Sequence, residues 1–284
     1  MSGHATKFLA AKDAALAAGA PLDPATLPAN AQFGGAETAT LLQVFVVSGI
    51  VFALVGGLCA LLLSNPPSGY APAGTSASTS ANHRDFSPQE TLAMPQLYAL
   101  WLILFLNVTA GILIISNAVP ILQDLTKAGP ATAAAVYGGV AIFNGLGRFF
   151  WGAISDRIGR NLAFTLIFGT QVLIFFALPQ LHDLSLAAGA FAIVLLCYGG
   201  GFGTMPSFTA DYFGTKFLGY NYGMIITAWG FGGIVGPIIA SRTKDLTGSF
   251  TNALVPVAIM LLIAAIIPFF VKPPAATLAS RLAI

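Results

Sequence analysis

The run Asn144-Gly-Leu-Gly-Arg-Phe-Phe-Trp-Gly-Ala-Ile-Ser-Asp-Arg-Ile-Gly-Arg160 starts inside an apolar segment, carries one arginine at 148 and closes in a compact charged turn. Phe149, Phe150 and Trp151 follow the arginine directly. A guanidinium at membrane depth costs roughly 2.5–3.5 kcal/mol on insertion scales, so such a residue is usually turned toward a cavity. A cavity in turn points to cargo.

The rest of the chain sets that run in a membrane. Charged residues are 8% and hydrophobic residues 56% of the 284, against roughly a quarter charged in soluble domains. Mean hydropathy is +0.83. A net charge of +2, with basic residues scattered singly, argues against a nucleic-acid partner. Cys59 and Cys197 lie within apolar runs and read as small hydrophobes. His4, His83 and His182 are far apart in polar stretches, without metal-ligand spacing. No cofactor is expected. No pair of carboxylates falls within a span, which argues against an intramembrane acid–base enzyme.

Apolar runs of about 20 residues, the length that crosses a hydrocarbon core, occur at 41–63, 97–121, 131–154, 162–181, 186–209, 218–240 and 253–271. They predict an all-α membrane protein with seven transmembrane helices and a lipid bilayer as its surroundings. Short connections predict antiparallel neighbours in a bundle. Residues 1–40 read as an extramembrane loop or tail, 64–96 as a Ser, Thr, Ala and Gly-rich cytoplasmic linker, 97–271 as a six-helix bundle and 272–284 as a tail. Arg84, Arg157, Arg160, Lys216, Lys272 and Arg281 fall on one face, and Lys127, Arg242 and Lys244 on the other. That bias places the C-terminus in the cytoplasm. The N-terminal tail then lies outside, the arrangement expected of a chain that lacks upstream helices.

Glycines at 219 and 223, at 232 and 236, and in the cluster 199, 200, 201 and 203 predict close helix packing, with a hinge as the competing reading. Pro206, Pro237 and Pro256 are expected to kink or end helices.

A helix over 131–154 puts Tyr137, Ala141, Asn144 and Arg148 on one face. A phenol, an amide and a guanidinium on an apolar helix describe a polar lining, and the planar guanidinium suits a carboxylate. Snorkelling of Arg148 to the headgroups is the alternative. The lean of helical side chains toward their own N-terminus favours the cavity. Asn107, Tyr198 and Trp229 lie at comparable depth in other spans and are further lining candidates, as are Thr109, Gln171, Asn221, Tyr222 and Thr227.

Gly152 to Arg160 resembles the Gly-x-x-x-Asp-Arg-x-Gly-Arg signature of the major facilitator superfamily, which lies in the cytoplasmic loop between the second and third helices of each six-helix half. The resemblance implies a conformational latch made by Gly152, Asp156, Arg157, Gly159 and Arg160. Asn65-Pro-Pro-Ser-Gly-Tyr70, Leu102 to Gly111, Asn144 to Arg148, and Tyr212-Phe-Gly-Thr through Asn221-Tyr-Gly to Gly230 look like the oxalate/formate antiporter branch, which is also monocarboxylate transporter-like. The likeness covers about residues 41–271.

It implies that the seven spans correspond to helices 6 to 12 of a twelve-helix fold. Another polypeptide would then supply helices 1 to 5. It also implies a small organic anion as substrate, bound by Arg148, with Tyr198 and Phe202 as an aromatic wall. Trp229 stands where the branch's oxalate carrier adds a lysine, so a monocarboxylate such as formate, lactate or pyruvate fits better than a dicarboxylate. A truncated, non-transporting remnant or assembly partner is the competing expectation. A seven-helix receptor is disfavoured, because the last span lacks a lysine for a retinal Schiff base.

Overall fold

The computed structural model of the protein describes residues 35–64 and 84–274. The expected N-terminal tail through residue 34, most of the Ser-rich linker, His4, His83, Arg281 and the last ten residues lie outside those described. The chain divides into two compact units, 1–74 and 75–284. The described part of the first is helix α1, Gly35–Leu61. Its segment Leu42–Leu61 is long and apolar enough to cross a membrane.

The second unit is all helical among its described residues. Its helices are α2 (Pro88–Leu92), α3 (Pro95–Thr126), α4 (Pro130–Val140), α5 (Ile142–Ile158), α6 (Arg160–Ala177), α7 (Leu184–Phe213), α8 (Leu218–Thr247) and α9 (Leu254–Phe270). Helices α3, α6, α7, α8 and α9 are long and apolar enough to span a bilayer, which with α1 gives six candidate spans among the described residues. The expected span at 131–154 is built from α4 and α5, each shorter than a bilayer requires. They meet at Ala141, whose φ of −59° and ψ of −24° keep the backbone near helical. The Asn144 N–H donates to Ala141 O, an i to i+3 bond that tightens the chain at this junction.

Local chemistry explains the ends and bends. Pro95 and Pro130 open α3 and α4 in the first turn, where a missing N–H costs nothing. Asp183 caps α7 by accepting from the N–H groups of Ser185 and Leu186. Within α3, Pro120 has no N–H and Asn117 leaves helical geometry, with φ −123° and ψ 20°. The Asn117 side-chain amide donates to Leu113 O at 3.1 Å, one turn back along the helix. Pro206 and Pro237 lie inside α7 and α8. Pro256, expected to kink or end a helix, falls in the first turn of α9, where proline is tolerated.

Neighbours in sequence are not the main partners in space. The most extensive packing joins α3 with α8, α5 with α7, and α6 with α9, while consecutive α5 and α6 touch little. Short connections fix which end each helix starts from, but the small-residue faces select its partner. Helix α7 runs through the middle against α3, α5 and α6, and Phe191, Phe208, Phe213 and Cys197 are buried along it.

Candidate functional site

The predicted stripe of α4 and α5 lies along the seam with α7. At Gly199, a Cβ would sit 1.9 Å from Asn144 O; at Gly203, 2.4 Å from Arg148 O; at Gly147, 2.0 Å from Leu196 O. Only glycine permits so close an approach of two backbones. The glycine cluster of α7 is therefore a packing surface, and so is the pair Gly232 and Gly236, which faces Val108, Thr109 and Leu113 of α3. Among the described residues, Gly219 and Gly223 have open space where their Cβ atoms would be and join no such seam.

Along the seam Asn144 is pressed against α7, and its Oδ1 is buried without a hydrogen-bond partner among the described residues. The exposed Arg148 swings out, with its guanidinium carbon 5.6 Å from the centre of the Phe202 ring. Phe202 stands edge-on to Tyr198 at 5.2 Å and to Trp229 at 6.5 Å, so four predicted residues form one cationic and aromatic group drawn from α5, α7 and α8. Trp229 is 52% exposed, leaving indole surface open for contact. Tyr137 and Tyr222 are half-buried and pack against the hydrophobic core. Among the described residues, Arg148 is the one charged side chain in the apolar body of these helices, the others lying near helix ends or in connections. The group offers a guanidinium donor fork, phenol hydroxyls and aromatic faces, a set suited to a carboxylate with a small apolar body.

Asn107 does not converge on this group. It is fully buried between α3, α6 and α7, where its amide accepts from Gln171 Nε2 at 3.0 Å and donates to Tyr198 O at 3.3 Å. Its polar atoms join three helices, and Tyr198 alone connects it to the aromatic wall.

The charged turn forms a second constellation at one end of the bundle. Gly159 ends α5 and opens α6 with φ 87° and ψ 153°, backbone that an L side chain rarely adopts. Arg160 then reaches back to Asp156 at 2.6 Å and across to Asp211 of α7 at 3.0 Å, and donates to Ser155 Oγ. Arg157 is exposed and makes no ion pair among the described residues. At Gly152 an added Cβ would lie 3.9 Å from Gly203 O, an ordinary van der Waals distance. Asp211 was not legible as a partner in the sequence, because nothing local ties it to a residue 51 positions away. At the same end, Asp85 accepts from Lys216 N–H at 3.0 Å, and the Phe86 N–H donates to Phe213 O at 2.9 Å. The opposite end holds Lys127, Lys244, and Ser249 bonded to Asp124 at 3.0 Å, with exposed His182 3.1 Å from Leu125 O.

A bundle of bilayer-length helices with one cation on an aromatic wall and an ionic clamp at one end describes a membrane transport protein. Residues 9–237 match the family model of the Major Facilitator Superfamily, and the chain belongs to that family of carriers. It is 29% identical over 238 residues to the oxalate:formate antiporter of Oxalobacter formigenes, covering 81% of this chain and 55% of that protein. An uncharacterised MFS-type transporter of Escherichia coli, YhjX, is 27% identical over 202 residues, 70% of this chain and 48% of its own length. Monocarboxylate transporter 14 of Mus musculus is 33% identical over 114 residues, 39% of this chain and 22% of its own length. The chain spans about half the length of the first two relatives.

Proposed function

We propose that this chain forms the C-terminal part of a secondary carrier for small organic anions, with monocarboxylates such as formate, lactate or pyruvate as its substrates. The observation that carries this reading is Arg148, held on the Phe202 ring beside Tyr198 and Trp229 with no carboxylate paired to it among the described residues. A guanidinium without a carboxylate partner can hold a substrate carboxylate bidentately, and the aromatic faces accept the remaining apolar atoms. One cation at the group balances one negative charge, so Trp229 in place of a second cation favours monocarboxylates. The antiporter of Oxalobacter formigenes and the murine monocarboxylate transporter support an anion as cargo by their names.

In this reading α1 is the sixth helix of a twelve-helix carrier, α4 and α5 together make the eighth, and the remaining helices complete the C-terminal half. The end bearing the Asp156–Arg160 turn is cytoplasmic, in keeping with its excess of basic residues. A polypeptide supplying helices 1 to 5 completes the site, and alternating access comes from rocking of the two halves about it. Arg160, shared between Asp156 and Asp211, holds α5, α6 and α7 together in one state and releases them in the other.

The test is Arg148→Gln in a reconstituted carrier that includes the other half. Binding and uptake of labelled formate, lactate and pyruvate fall at least tenfold, while membrane insertion and yield stay at the wild-type level. Unchanged uptake refutes the assignment.

A further inference from the structure

A groove of about 360 Å³ opens between the start of α3 and the end of α9, remote in sequence from the Arg148 group. Ala99, Ile267 and Phe270 contribute apolar lining, and the half-buried Gln96 and exposed Lys272 contribute its polar side chains. We propose that it binds an anionic phospholipid, with the headgroup phosphate on Lys272 and Gln96 and part of an acyl chain between α3 and α9. The inference rests on α3 and α9 spanning the bilayer, and is otherwise independent of the cargo.

Three observations select that occupant. The first is depth: Pro95 and Phe270 are the terminal residues of two candidate spans, so the groove lies where lipid headgroups meet hydrocarbon. The second is charge: the lining contains Lys272 and no carboxylate, and Lys272 has no ion pair among the described residues. An exposed ammonium at the mouth of an apolar crevice complements a phosphodiester. The third is rigidity. The Asn161 amide donates to both Pro268 O and Val271 O, the Tyr212 hydroxyl donates to Val271 O at 2.8 Å, and Gln96 Nε2 donates to Lys272 O at 3.3 Å. These bonds hold the chain extended after α9 and occupy carbonyls that would otherwise face an anion. At roughly 30 Å³ per water-sized group, the volume accepts about a dozen such groups, a stretch of acyl chain rather than a whole lipid.

The full chain, purified in mild detergent, is equilibrated with mixed micelles holding equal amounts of phosphatidylglycerol and phosphatidylcholine of the same chain length. Retained lipid is then read by native mass spectrometry. Wild type retains phosphatidylglycerol at least fivefold over phosphatidylcholine. Lys272→Ala, a change at an exposed side chain, brings that ratio to about one, while Ala99→Trp fills the groove and lowers retention of both lipids. Equal retention by wild type, or an unchanged ratio in Lys272→Ala, overturns the proposal. A fivefold rise in retained lipid after removal of residues 275–284 assigns the groove to the chain's own tail and overturns it as well.

Discussion

Substituting Gly199 by alanine tests whether the α5–α7 seam positions the proposed anion site. The added Cβ would lie 1.9 Å from Asn144 O and 2.8 Å from Asn144 C, both backbone atoms that no side-chain rotation can move away. Ordinary contact begins near 3.4 Å, so the two helices must part by about 1.5 Å at this level. Overpacking of this kind costs typically 1–3 kcal/mol. The helix preference of alanine over glycine returns up to about 1 kcal/mol, which leaves a net loss. The control lies on the same helix: Gly189 has nothing within 4 Å of its would-be Cβ. Gly189→Ala keeps the preference without the clash and is neutral or stabilising. Unfolding of both variants in detergent micelles, followed by circular dichroism against denaturant, should separate them by about 1–3 kcal/mol. Because Gly203 faces Arg148 O one turn further along, parting of the helices also shifts Arg148 against Phe202, and anion affinity falls with stability. Equal stability of the two alanine variants would refute the packing argument.

Three further outcomes follow from the same contacts. A double-mutant cycle on Asn107→Leu and Gln171→Leu should give a coupling of about 0.6 kcal/mol, the average for interhelical hydrogen bonds in a membrane protein, and zero coupling would show that the 3.0 Å bond contributes nothing. Asp211→Asn should lower stability by about 0.5–1 kcal/mol, and by less at high salt, because the Asp211 side chain is 42% exposed; a loss unaffected by salt would contradict an ionic origin. The third concerns Glu90. Its carboxyl is held below its ordinary 4.5 by the Ser87 backbone N–H, then the Ser87 hydroxyl, with Arg84 adding to the effect. A lowered folded value means that the capping box of α2 stabilises fully above pH 4.5 and loses that contribution as pH falls through the folded value. Exchange protection of the Ser87 amide should be flat above pH 5 and drop below 4.5; a loss already present at pH 6 would assign it to another group.

Much of the fold was legible because it rests on properties each segment carries alone. Length and hydropathy identify an apolar helix wherever it lies, and a helix of bilayer length satisfies its own backbone. Arg148 stood out for the same reason, as a charge in apolar sequence, and so did the turn from Gly152 to Arg160. The span at 131–154 was less legible, since no residue there announces the tightening at Ala141 that divides it into α4 and α5.

Partner choice was another matter. Helical periodicity gave Tyr137, Asn144 and Arg148 a common face, yet Asn144 meets Gly199 while Arg148 meets Phe202. Asn107 matched Arg148 in depth but serves α6 and α7 through Gln171 and Tyr198 O. Gly219 and Gly223 have the same spacing as Gly232 and Gly236, but among the described residues only the second pair meets a neighbouring helix. Sequence by itself determined what each helix is and which chemistry it carries, because hydropathy, backbone self-satisfaction and a misplaced charge are local quantities. Only the tertiary structure decided which faces meet, because lipid is as apolar as the helices. Partner and register there depend on close backbone approach and interhelical hydrogen bonds, which come into being only when two distant segments cross.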